Sequence, residues 1–340
     1  MRRDGDREQG DSRRRDRDDP KVNSDDRTRG RDDRTRGRDD RTQGCDDRTQ
    51  GYDDREHTRD GRLRAFRVAY DGRLFHGFQR QPSVPTVEDA VFDALDGLGV
   101  FDRAARHRPP GYAAAGRTDA GVSALAQTVA FECPDWCTPR ALNGELPADV
   151  RAWAAAEAPS GFHATHDAVR REYVYDLYGP TLDDERAAAA AAALSGEHDF
   201  HNLTPDDRGT VRDVSIDLSR DGDFLSLRVA AGGFPRALVR RLASVIRGVA
   251  AGDRTLEQVH RLLGSEPLDG PEGVPSAPPE PLLLADVSYP TLDFERDLRG
   301  VESAVDVFAA RRRDALVRAR IADRIVDGVG DSEFVDRAER

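Results

Sequence analysis

Residues 211–230 read VRDVSIDLSRDGDFLSLRVA. Two strand-like runs, 211–218 and 223–230, flank Asp221-Gly222, a pair that favours a tight turn. Two strands joined so closely must run antiparallel, because a parallel crossover needs a dozen or more residues. This hairpin sets the pattern for the rest of the chain. Phe66, Val68 and Tyr70 alternate with Ala65, Arg67 and Ala69, which predicts a strand that begins order near Leu63. Asp71-Gly72 turns the chain, and Pro85-Thr86 opens a helix with Thr86 as N-cap and Asp89 three residues later. Val87, Val91, Ala94, Leu95 and Leu98 form its apolar stripe.

Further strands are expected at 127–132, 150–156, 172–178 and 282–289, and an alanine-rich helix at 185–194. A helix should start at Pro235, since proline suits a first turn. The Pro- and Gly-rich stretch 264–281 reads as a loop. Strands mixed with helices through short links give an α+β fold of two similar domains. Each domain should hold an antiparallel sheet with flanking helices, with a cleft between them. The expected boundaries are 1–62 for a disordered tail, 63–160 and 161–290 for the two domains, and 291–340 for a charged helical extension. Val301, Val305 and Phe308 suggest that part of the extension packs.

The tail stands apart by composition. The chain has 340 residues, 34% charged and only 37% apolar, with a net charge of −12. Residues 1–62 carry 19 cations and 19 anions, so the whole imbalance belongs to residues 63–340. A near-exact heptad starts at Asp25, Asp32, Asp39, Asp46 and Asp53, but none of its positions is consistently apolar. It therefore reads as a solvated mixed-charge segment and not a coiled coil. Lys21 is the only lysine, every other cation being arginine. An acidic, lysine-poor chain is suited to solubility in high salt, where charges are screened over a few ångströms. Under those conditions converging arginines can still meet a polyanion.

No apolar run reaches the ~18 residues of a membrane span, and the N-terminus has no hydrophobic leader. Cys45, Cys133 and Cys137 are too few for a disulfide framework, so the expected setting is the cytoplasm. His163-x-x-His166, His198-x-x-His201 and Cys133-x-x-x-Cys137 are the only metal-like spacings, and neither Cys-x-x-Cys nor His-Glu-x-x-His is present. No metal is expected.

The run that points to chemistry is Ala115-Gly116-Arg117-Thr118-Asp119-Ala120-Gly121-Val122. A carboxylate among small residues leaves room for a ligand, and Arg117 can hold a phosphate or carboxylate. The same residues would also make an ordinary charged turn.

With its surroundings, this run resembles the TruA family of tRNA pseudouridine synthases over about residues 64–290. Tyr70-Asp71-Gly72 and Gly77-Phe78-Gln79-Arg80-Gln81 are similar to the family's opening strand and loop, with Phe78 where tryptophan is common. Gly116–Val122 resembles its signature, whose aspartate is the nucleophile. Asn143, Leu146 and Pro147 resemble a further family segment, and Phe162-His163-Ala164 resembles Phe-His-Ala-Arg with Thr165 in place of the arginine. Arg171-Glu172-Tyr173-Val174-Tyr175 resembles the strand bearing the active-site tyrosine. Phe234 and Leu238-Val239-Arg240 resemble the segment whose arginine pairs with the nucleophile, with Arg236-Ala237 departing from the family pattern.

The resemblance implies an enzyme that isomerises uridine to pseudouridine in the anticodon stem-loop, at tRNA positions 38 to 40, without a cofactor. It also implies a homodimer with tRNA touching both subunits. Asp119, Tyr173 and Arg240 become the expected catalytic residues, and Arg117, Gln79, Arg80, Arg170 and Arg236 the expected RNA contacts. A carboxylate can act as a covalent nucleophile. In a dry pocket burial would disfavour its charged form, and a guanidinium would oppose that. A bidentate Asp119–Arg240 pair is therefore expected. Tyr173 would stack on the extruded base, and its hydroxyl could assist proton removal at C5. Arg117 would fill the vacated stack. Arg236, Arg240 and Arg247, at i, i+4 and i+11 of one helix, would form a row toward phosphates. The alternative is a non-catalytic tRNA-binding or folding module of the same architecture.

Overall fold

A computed structural model describes residues 61–268 and 273–330. The expected tail, 1–62, lies almost wholly outside the described residues. The first half of the chain forms β1 (Arg62–Tyr70), α1 (Val87–Gly97), β2 (Ala113–Ala114), β3 (Ser123–Cys133), α2 (Pro139–Glu145) and β4 (Val150–Glu157). The second forms β5 (Arg170–Tyr178), α3 (Asp184–Leu194), β6 (Gly196–Asp199), β7 (Val211–Asp221), β8 (Phe224–Ala231), α4 (Leu238–Ala250) and α5 (Leu256–Leu262). β9 (Leu282–Ser288), β10 (Glu295–Arg296) and α6 (Leu298–Gly330) complete the order.

The α+β class holds, but the expected pair of separate sheets does not. The strands make one sheet in the order β10-β4-β1-β3-β9-β5-β8-β7-β6, with β2 beside β3. Every neighbouring pair is antiparallel except β3 and β9, which run parallel at Ser123↔Leu283 and Ala124↔Leu284. β9 pairs antiparallel with β5 on its other side. A strand from late in the chain thus inserts between the halves and fuses their sheets. The 211–230 hairpin closes as expected, with Asp221 opposite Phe224 and Gly222 at φ +55° in the two-residue turn.

β3 and β9 pair at only those two positions, and a buried cation occupies the seam. The Arg67 guanidinium donates to the carbonyls of Ala126 in β3 (3.1 Å) and Val287 in β9 (2.6 Å). It also pairs with Asp286 at 3.3 Å and lies 4.3 Å from the Phe294 ring centroid. These bonds supply donors to carbonyls that would otherwise be short of partners.

Two apolar clusters flank the seam. One gathers Phe66, Phe92, Phe131 and Leu142 under α1 and α2, with Phe66 and Phe131 stacked at 4.8 Å. The other gathers Tyr175, Leu194, Leu227 and Val245 under α3 and α4. Thr86 caps α1 by accepting the Asp89 N–H, and α1 buries Val87, Val91, Ala94 and Leu95 as its spacing required. The expected helix from Pro235 begins later, at Leu238, because Ala237 adopts φ +58°, a left-handed conformation outside the helical region. In the extension Val301 and Phe308 are half-buried and Val305 is exposed. From Arg312 onward every described residue of α6 is exposed. Among the described residues no helix is long and apolar enough to cross a membrane.

Candidate active site

The Gly116–Val122 loop connects β2 to β3, and the opening motif holds it from below. An added Cβ at Gly72 would fall 2.0 Å from the Val122 carbonyl oxygen, so no larger residue fits there. Gly77, at φ +93°, carries the next loop within 2.8 Å of the Thr118 carbonyl by the same measure. Its neighbour Phe78 donates its N–H to that carbonyl (3.1 Å). Buried Thr118 shares a hydroxyl hydrogen bond with Tyr70 (2.8 Å). Burial raises the Tyr70 phenol well above its usual range, so it stays a neutral partner. The Gln127 amide donates to the Gly116 carbonyl (3.0 Å). The loop backbone is therefore fixed while Asp119, at its tip, keeps a half-exposed side chain.

Arg240, in the first turn of α4, reaches across from the other half of the chain. Its Nη1 lies 3.0 Å from Asp119 Oδ2, and its Nε donates to the Ala277 carbonyl at 2.6 Å. The pairing is a single bond and not the expected bidentate fork, and the Nε of the same guanidinium is bonded to the 273–281 loop. The Asp119 side chain is about half exposed.

Asp119 and Arg240 line a cavity of about 530 Å³ with Arg117, Thr165, Tyr173 and Phe234. The Tyr173 and Phe234 rings meet edge to face at 5.4 Å. Burial pushes the Tyr173 phenol up to about 12, with Arg171 opposing and the Asp119 charge adding to the rise. At neutral pH this hydroxyl is a donor, so the geometry suits stacking and hydrogen bonding better than base chemistry.

Arg171 organises the site, although in the sequence it is merely the first position of the tyrosine-bearing strand motif. Its guanidinium donates to the carbonyls of Ala115 (2.8 Å), Thr165 (2.7 Å) and Gly232 (2.7 Å), drawing three loops together. Only its place two residues before Tyr173 hints at this.

The expected RNA contacts fare unevenly. Arg117 is exposed and lines the cavity. Gln79 sits in an adjoining recess. Arg80 is engaged by Asp89 (2.9 Å) and the His107 carbonyl (2.9 Å). Arg170 lies 3.6 Å from Glu172. Arg236 precedes α4 and pairs with Asp206 at 2.5 Å, so the expected single-helix row of Arg236, Arg240 and Arg247 does not form. The His163 and His166 rings lie 4.2 Å apart, tilted by 33°, while Cys133 and Cys137 are buried. Among the described residues no three His, Cys, Asp or Glu side chains gather as a metal site.

A family model and the sequence relatives agree on one family. A family model described as tRNA pseudouridine synthase matches residues 190–290. The tRNA pseudouridine synthase A of Natronomonas pharaonis is 61% identical over 263 residues, covering 76% of this chain and 97% of the relative. Those of Haloarcula marismortui and Halobacterium salinarum are 55% and 54% identical, covering 78% and 77% of this chain and 100% and 98% of the relatives. The archaeal box H/ACA sRNP Nop10-Cbf5 complex is a loose structural likeness, with TM-score 0.28 and 19% identity over 52% of this chain and 45% of that one. At such identity over nearly their full length, the haloarchaeal relatives decide the assignment: this chain belongs to the tRNA pseudouridine synthase A (TruA) family.

Proposed function

We propose that Asp119 is the nucleophile with which this tRNA pseudouridine synthase detaches and rejoins uracil. Family membership makes the chain an enzyme that isomerises uridine in tRNA, which leaves the non-catalytic alternative without support. The reaction breaks the N1–C1′ bond and forms C5–C1′; C5 loses a proton and N1 gains one, so no redox partner is needed. A carboxylate that adds covalently splits this exchange into two steps. The observation that carries the proposal is the 3.0 Å contact between Asp119 and Arg240 at a cavity built from both halves of the chain. Arg240 fixes one carboxylate oxygen and leaves the other without a bond from its guanidinium. Tyr173 stacks on the extruded uracil, and Arg117, exposed to solvent, takes the vacated place in the stem.

The finer assignments follow the same reading. The substrate is the anticodon stem-loop at positions 38 to 40, held along exposed arginines such as Arg170 and Arg236, with Gln79 beside the target. Arg80 would have to exchange its bonds to Asp89 and His107 to join them. Residues 63–160 and 161–290 act as two α+β halves around the cavity, the enzyme works as a homodimer in the cytoplasm, and it needs no cofactor. Chemical mapping of pseudouridine in an unmodified tRNA transcript after incubation with purified enzyme tests the site choice. New pseudouridine confined to 38–40 is expected, and modification elsewhere would overturn it.

A further inference from the structure

A row of arginines of the kind expected along α4 stands on α6. Arg313, Arg320 and Arg324 occupy i, i+7 and i+11 of that helix, within about 40° of one another. All three are exposed, and among the described residues no guanidinium of the row has a hydrogen-bond or ion-pair partner. Asp327 closes the row at its far end, while Ile325 and Val329 are turned about 100° or more away. Residues 312–324 hold five arginines and two aspartates, in a chain whose net charge is −12. The root of this helix is fixed. Gly300 packs on β4, where an added Cβ would fall 2.9 Å from the Ala152 carbonyl oxygen, and Arg311 pairs with Asp149. The Asp149 carbonyl accepts the Asp71 N–H (3.1 Å), and Gly72 abuts Val122, a wall of the cavity that holds Asp119. From Arg312 to Gly330 the helix then runs on for about 28 Å with no residue buried.

A basic stripe along one helix face is the footprint of a polyanion. High salt confines charge attraction to direct contact, and guanidinium is the cation that grips phosphate with two parallel bonds. The substrate of this enzyme, tRNA, brings a chain of phosphates to the root of α6. We propose that the free part of α6 is an RNA-binding arm. Arg313, Arg320 and Arg324 lie along phosphates of the tRNA outside the anticodon stem-loop, and they read its shape and not its sequence. The arm rests on the target uridine lying in the anticodon stem-loop, because that placement leaves the rest of the tRNA for the arm to touch.

The test compares the full-length enzyme with its triple variant Arg313→Gln, Arg320→Gln, Arg324→Gln on two substrates, a whole tRNA transcript and the isolated anticodon stem-loop. On whole tRNA the variant should raise KM at least about tenfold and leave kcat unchanged. Its plot of log KM against log salt should flatten by about two to three, close to one for each arginine. On the stem-loop KM should stay within about twofold. If the variant fails to fold, the unaltered enzyme still decides, since its salt slope should be steeper for tRNA than for the stem-loop by the same two to three. A KM for tRNA within twofold of the unaltered enzyme, or equal salt slopes, would overturn the arm. So would an equal rise of KM on the stem-loop, which would put the row on the target segment. A change of sedimentation coefficient in the variant would also overturn it, assigning the row to a contact between copies of the chain. Failure of the stem-loop reading looks different: the unaltered enzyme would place pseudouridine outside positions 38 to 40.

Discussion

Arg240 holds Asp119 with one arm only: Nη1 contacts Oδ2 at 3.0 Å, while Nε is bound to the Ala277 carbonyl. The arginine is thus fixed at both ends, between the Gly116–Val122 loop and the 273–281 loop. Lysine has neither the planar fork nor the second donor edge. Arg240→Lys should therefore lower kcat by roughly ten- to one-hundredfold, the cost of about one to two lost charge-assisted bonds. Single-turnover kinetics with saturating tRNA check this, and an unchanged rate would remove Arg240 from the mechanism.

Tyr173 separates two roles. With its phenol pushed up to about 12, it enters the reaction protonated. Tyr173→Phe keeps the ring and should lose less than about tenfold, one neutral hydrogen bond. Tyr173→Ala removes the stacking surface and should cost about 1–3 kcal/mol in kcat/KM. Equal losses in both variants would return the hydroxyl to a chemical role.

Buried tyrosines also give the fold an alkaline limit. Burial pushes Tyr289 up to about 12, and raises Tyr70 as well. Unfolded tyrosine titrates near ~10. The folded state therefore keeps its proton where the unfolded state has lost it. This stability is fully present below pH ~10 and drains away as pH rises through the folded values, by about 1 kcal/mol per tyrosine at pH ~11. Urea titrations at pH 8 and 11 should show the fall, with flat stability contradicting it.

The seam makes a fourth prediction. Arg67→Met removes the donors for Ala126 and Val287 and takes from Asp286 its ion-pair partner. The expected cost is about 3 kcal/mol, from carbonyls left unsatisfied in a buried setting. Thermal unfolding measures it; a change below about 0.5 kcal/mol, the size of an ordinary surface substitution, would deny Arg67 its stitching role.

Much of this is legible in the sequence where the signal is local. Asp221-Gly222 announces the hairpin, Thr86 announces the start of α1, and the alternation around Phe66 announces β1. The capping box of α5, Thr255 with Gln258, is a local signal of the same kind. The long-range features are not legible in this way. Nothing near Ser123 or Leu283 says that these residues pair across 160 positions, so the sheets are expected apart. Alanine gives no sign of a left-handed conformation, so Ala237 and the late start of α4 stay hidden, and with them the displacement of Arg236 from the helix. Arg171 shows its function only when the three loops it binds are already folded. The site pair itself is legible through family resemblance, while its single-bond geometry is not.

The most direct measurement is release of tritium from tRNA labelled at uracil C5, followed for the unaltered enzyme and for Asp119→Asn under single-turnover conditions. The substitution keeps the size of the side chain and removes its nucleophilic charge, with circular dichroism and tRNA binding expected to stay unchanged. The rate should fall by at least about a thousandfold, the scale on which loss of a covalent nucleophile acts. Tritium release within tenfold of the unaltered enzyme would contradict the assignment of Asp119.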